Sequence, residues 1–167
     1  GDLVQTTAGT YFQDMMSFGE KWKSLVGARY DSFEQEYHNL APPSATNLDL
    51  ERRDYFLSPR AGIVFQPSDK QSYYMSFSRS SQPSGSTATV ASDNVTLDPE
   101  TSTNYEVGGK YELLGGDANL TVSLFQLVRE NVPTSDPSRP GITILAGEVQ
   151  TDGLEISMVG DIADGWT

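Results

Sequence analysis

A single histidine, His38, and no cysteine in a chain of 167 residues narrow the available chemistry at once. No thiolate nucleophile, disulfide framework or thiolate zinc site can form, and one histidine cannot make a multi-histidine metal centre. A Ser-His-Asp triad would have to use His38, which lies near Pro42-Pro43 with no nucleophile elbow beside it. Carboxylates are plentiful, but no two stand out as a glycosidase pair. Gly108-Gly109 and Gly115-Gly116 lack the pattern of a phosphate-binding loop. Neither catalysis nor a cofactor nor a metal site is expected. Recognition chemistry remains. Tyr37, His38, Arg52, Arg53 and Tyr55 gather rings and cations around one polar stretch, a set suited to stacking and charge-assisted hydrogen bonds.

Charge removes another class. Twenty-three acidic residues face eleven basic ones, a net charge of −12, which argues against nucleic-acid binding because phosphates demand a basic surface. No run of 18 apolar residues exists, so a transmembrane helix is excluded. The membrane itself is not, since a barrel strand needs only about 9–11 residues with every second one apolar. The start, Gly1-Asp2-Leu3-Val4-Gln5, does not read as a signal peptide. A mature or internal stretch is therefore expected.

Seven alternating segments must position these groups. They are read at about 3–18, 22–37, 55–66, 71–80, 103–113, 119–128 and 142–160. Short turns at Gly19-Glu20-Lys21, Pro67-Ser68-Asp69-Lys70 and Gly115-Gly116-Asp117 alternate with long polar loops, the habit of outer-membrane barrels. Trp22, Val26 and Tyr30 oppose Lys23, Arg29 and Asp31; Tyr105, Val107 and Tyr111 oppose Glu106, Lys110 and Glu112; Leu154, Ile156 and Met158 oppose Glu155. Alternation gives each strand one apolar and one polar face. The seven charged residues of that second face are expected to line an interior and pair across strands. Glu106 and Lys110, about 13 Å apart along one strand, must find partners on neighbouring strands.

Alternation alone also fits a soluble β-sandwich with Tyr73, Tyr74 and Tyr105 as a sugar platform. Aromatic placement favours the membrane. Trp22 and Trp166 sit at short turns, and Tyr30 lies eight residues beyond Trp22 on the same face. At about 3.3 Å per residue and a tilt near 40°, that is a rise of about 20 Å, close to the apolar band between aromatic girdles.

Three stretches carry a family resemblance. They are Tyr11 to Asp31 (YFQDMMSFGEKWKSLVGARYD), Leu57 to Asp69 with Tyr73 to Pro83, and Leu97 to Leu114 (LDPETSTNYEVGGKYELL) continuing to Trp166. Together they resemble the middle to late part of the barrel of TonB-dependent siderophore receptors. The resemblance implies an all-β, antiparallel up-and-down meander of about seven strands, part of a 22-stranded barrel in the outer membrane of a Gram-negative bacterium. It implies uptake of a ferric siderophore, energised by the TonB complex, with iron present only in the ligand. Residues 1–167 would be a partial barrel domain, and the plug domain, TonB box and terminal strand would lie outside them.

The resemblance also assigns roles. Siderophores are held in that family by aromatic and arginine side chains, which makes Tyr37, His38, Arg52, Arg53 and Tyr55 the ligand candidates. The alternative is that Tyr37 and Tyr55 belong to the outer girdle and the arginines pair with Glu51 and Asp54 or meet lipid phosphates. Lys23, Arg29, Asp31, Glu106, Lys110, Glu112 and Glu155 would face the lumen and plug. The loop from Ser81 to Pro99 reads as a lid, and Arg129, Glu130 and Arg139 as a solvated rim. A porin or a vitamin or glycan receptor is the alternative among barrels.

Overall fold

The computed structural model describes residues 2–38, 50–83, 98–135, 137–138 and 143–160. Strands β1 (Asp2–Phe18), β2 (Trp22–His38), β3 (Leu50–Ser68), β4 (Gln71–Gln82), β5 (Glu100–Leu113), β6 (Ala118–Ser135) and β7 (Thr143–Gly160) follow in chain order. They make one antiparallel sheet in the order β1-β2-β3-β4-β5-β6-β7. Each strand pairs with its sequence neighbour, as short connections favour. The turn between β1 and β2 takes a positive φ at Gly19 (63°), a conformation glycine adopts without a Cβ clash. Between β5 and β6 a single 3₁₀ turn, Leu114–Gly116, closes the hairpin.

Several strands run further than the alternation shows. β3 begins at Leu50, so Arg52, Arg53 and Asp54 are strand residues and not part of a loop. β6 reaches Ser135, which puts Arg129 and Glu130 within a strand. Alternation fades there because both faces turn polar above the apolar band, while the backbone ladder continues. Most of the expected lid, together with Arg139 and Trp166, lies outside the described residues.

No second layer covers this sheet among the described residues. Among the described residues the buried apolar ones are Phe33, Phe56 and Ala118, and no large side chain is fully buried. A sandwich needs a facing sheet, so the described strands do not form one. Register decides what each side carries. Trp22 pairs with Phe65, Ile63 with Met75, Met75 with Val107, Val107 with Leu124 and Leu124 with Leu154. The shift between odd and even positions at β2/β3 and β5/β6 brings the apolar phases of all seven strands to one side. Asp14 and Asp152 interrupt this apolar face on the two edge strands.

Candidate ligand-facing wall

The apolar side presents cross-strand aromatic pairs at two heights. Near the short turns, Trp22 meets Phe65 with centroids 4.6 Å apart, and Tyr73 meets Tyr111 edge-on at 5.9 Å. Higher up, Tyr30 stacks on Tyr55 at 6.2 Å and Phe77 packs on Tyr105 at 5.3 Å. Between them lie exposed Val26, Ile63, Met75, Val107, Leu124 and Ile156. A broad depression of about 740 Å³ is lined mostly by residues of this band. Such an area of bare apolar surface does not face water in a soluble monomer.

On the opposite side the register gathers all seven expected interior charges. Arg29 and Asp31, two apart on β2, form a salt bridge with Nη2 2.8 Å from Oδ1. They lie across Gly9 of β1, the partner of Asp31, where a Cβ would collide with the carboxylate. Glu106 and Lys110 meet through a third residue. The Tyr74 hydroxyl on β4 donates to Glu106 Oε1 at 2.5 Å, and Lys110 Nζ stands 5.8 Å from the centre of the same ring. Gly108, opposite Tyr74, makes this possible. A Cβ there would lie 2.7 Å from the Tyr74 hydroxyl, so the ring rests flat on bare backbone. Ser123 and Glu155 extend the same row onto β6 and β7. Lys23 and Glu112 share the face nearer the short turns, without an ion pair among the described residues.

The five ligand candidates do not converge. Arg52 points to the polar side, largely buried against Asp54 with Nε 2.5 Å from Oδ2. Arg53 is on the apolar side, bonded to Glu34 and Glu51 above the aromatic pairs, and its pKa is raised chiefly by the Glu34 hydrogen bond. Tyr55 is on that side too, stacked on Tyr30. The expectation that Arg53 and Tyr55 join Arg52 in one site is corrected: adjacent strand residues alternate faces. His38 is exposed at the end of β2, 3.9 Å from Glu36. Tyr37 pairs in backbone register with Leu50, and its side chain lies outside the described residues.

The sequence does not single out Phe33, Phe56, Glu100, Asn131 or Gln13, and marks Arg129 only as part of a solvated rim. Phe33 and Phe56 are buried on the polar side, next to Asp54 and Asp31. Arg129 donates to Glu100, which is only 6% exposed, from Nε at 2.8 Å. Asn131 donates to the Pro99 carbonyl at 3.0 Å and adopts a positive φ of 57°. Arg60 on β3 reaches Gln13 on β1 across Gly27. Parity of position puts Phe33, Phe56, Arg60 and Arg129 on the polar side once the register is known.

One sheet with an apolar outer band edged by aromatics and a charged inner side is a segment of transmembrane β-barrel wall. Comparison with known proteins makes the class specific. The family model described as "TonB dependent receptor-like, beta-barrel" matches residues 1–167, and the chain belongs to that family of outer-membrane barrels. A probable TonB-dependent siderophore receptor, PiuA of Acinetobacter baumannii, is 31% identical over 99% of this chain and 23% of its own length. The metal-pseudopaline receptor CntO of Pseudomonas aeruginosa is 30% identical over 91% of this chain and 21% of its own length. The crystal structure of PiuA superposes with a TM-score of 0.83 at 29% identity, over 97% of this chain and 24% of that one. The ferripyoverdine receptor of P. aeruginosa, bound to ferripyoverdine, gives 0.73 at 25% identity over 95% of this chain and 21% of that one. The chain thus spans about a quarter or less of these relatives.

Proposed function

We propose that these strands are part of the wall of an outer-membrane receptor that captures a ferric siderophore and imports it with energy from the TonB complex. The observation that carries this reading is the division of one sheet into a lipid-type band and a charged interior, in a chain of the receptor family. The apolar side faces outer-membrane lipid and the polar side faces the lumen and the plug domain of the same receptor. Lys23, Arg29, Asp31, Glu106, Lys110, Glu112 and Glu155 line that lumen. Iron enters as part of the ligand, and neither a resident cofactor nor a catalytic group belongs to this reading.

Siderophore contacts from these strands are placed at the outer ends of β2 and β3, where Arg52 lies on the lumen side. His38 borders the same end. Deleting the complete gene in its own bacterium and measuring uptake of ⁵⁵Fe-loaded siderophores under iron starvation tests the proposal. Loss of uptake, restored by the gene only when TonB is intact, is expected. Unchanged uptake, or a product absent from the outer membrane, overturns it.

A further inference from the structure

Of the two carboxylates that interrupt the apolar side, only one is answered within the described strands. Asp152 on β7 accepts from Gln126 at 2.9 Å and from Gln150 at 2.8 Å. Asp14 on β1 is exposed and has neither a hydrogen bond from its side chain nor an ion pair among the described residues. Its neighbours across the ladder are Val26 with Ser24 and Ala28 to either side, and none is a cation. The register also fixes its depth. Asp14 lies four residues from the Phe18–Trp22 pair below and four from the Thr10–Tyr30 pair above. At about 3.3 Å per residue and a tilt near 40°, each step is a rise of about 10 Å, so the carboxylate stands midway across the lipid-type band. Exposed Phe12 and Phe18 share its face. An aspartate is too short to reach the headgroups over such a distance, as a lysine or arginine does.

β1 is an edge of this sheet, paired with β2 on one side alone among the described residues. Lipid tolerates no open edge, and a closed barrel sets another strand there. Because the chain spans about a quarter or less of its relatives, that strand of the receptor lies outside residues 1–167. We propose that Asp14 is one half of an ion pair on the lipid face, and that the strand closing against β1 presents a lysine or arginine opposite Asp14 or two residues to either side, the positions within reach across a ladder. The inference rests on the reading of this side as lipid-facing. An ionised carboxylate is not carried bare in hydrocarbon, whereas a cation across the ladder neutralises it. The same pair keys the closure of the wall. A slip of one residue between the two strands would send the cation to the lumen side and leave Asp14 alone in lipid.

The test is urea denaturation of the full-length receptor in phosphatidylcholine vesicles, wild type beside Asp14→Leu, Asp14→Lys and Val107→Asp. With a cation opposite, Asp14→Leu strands that cation in lipid and lowers the midpoint, and Asp14→Lys lowers it further. Exchanging the facing cation for glutamate in the Asp14→Lys chain should restore the heat-dependent gel shift of a folded barrel, even where Asp14→Lys alone does not fold. A midpoint that Asp14→Leu raises or leaves unchanged overturns the pair, since removing a bare carboxylate from lipid is favourable. A closing strand without lysine or arginine at the three positions overturns it too, as does an exchange that fails to rescue. Val107→Asp sets a new carboxylate between Met75 and Leu124 on the same face and should lower the midpoint. If it does while Asp14→Leu raises the midpoint, the lipid reading stands and the pair falls. If Val107→Asp is silent, this side does not meet lipid and both fall. A receptor that imports no iron chelate yet shows the rescue keeps the pair and loses the transport reading.

Discussion

The two sides of this sheet are built from the same strands by different rules. On the lipid side, partners are apolar and large, and rings meet rings across the ladder, as at Trp22 and Phe65. On the lumen side, long polar side chains lie flat across glycines of the next strand: Asp31 over Gly9, Arg60 over Gly27, Tyr74 over Gly108. Lipid accepts any apolar shape, so the outer face needs only area. On an interior lined with charge several groups find partners across strands, and the glycines provide the room in which those polar atoms reach across. The outer face is set by hydrophobicity, and the inner face by fit.

A charge placed in the outer band breaks that comparison most severely. Leu124 pairs with Val107 and Leu154 at the middle of the apolar face and is 57% exposed. Leu124→Arg in the complete receptor should lower barrel stability by about 2–4 kcal/mol, as charges near the bilayer midplane do. The measurement is the denaturation midpoint in lipid vesicles. A neutral result would mean that this face does not meet lipid.

Filling a glycine comes next. A Cβ at Gly108 would sit 2.7 Å from the Tyr74 ring, so Gly108→Val must expel the ring from its bed and separate the hydroxyl from Glu106. Stability should fall by about 1–3 kcal/mol, the range for overpacking. Tyr74→Phe, which keeps the ring and removes only the hydroxyl, should show a smaller part of that loss. The pair together tells fit from hydrogen bonding: if both variants are silent in the same assay, the inner face is as permissive as the outer.

Most of the fold was legible in the sequence because the apolar phase has period two and short turns alternate with long loops. Seven strands in meander order followed, and so did the polar phase that Lys23, Arg29, Asp31, Glu106, Lys110, Glu112 and Glu155 share. Three things were hidden. Strand ends at Leu50 and Ser135 lie where the apolar phase has died out, so hydrophobicity no longer marks the ladder. Register between strands leaves no trace in one sequence, and register brings Tyr74 between Glu106 and Lys110. The end of the β3–β4 ladder at Arg60 needed three-dimensional pairing to be seen, although Pro59 is its sequence sign.

Arg53 offers the smallest expected effect and the finest test of the two-sided picture. By composition it belongs with Arg52, its neighbour in the chain, yet alternation sends it outward. It stands twelve residues above Phe65 on β3, a rise of about 30 Å, beyond the band of about 25 Å that lipid covers. There it bonds Glu34 and Glu51 in water, with its side chain 58% exposed. Exposed ion pairs contribute little, because solvent screens the charges and ordering two long side chains opposes the gain. Arg53→Gln should therefore leave the denaturation midpoint of the receptor where it was, and added salt should change wild type and variant alike. Arg52→Gln, one residue away, strands the Asp54 carboxylate in a setting where it is only 14% exposed and should shift the midpoint clearly downward. If the two arginines respond alike, the division of the wall into two faces does not reach this height, and the upper ends of β2 and β3 leave the barrel wall as a freely solvated hairpin.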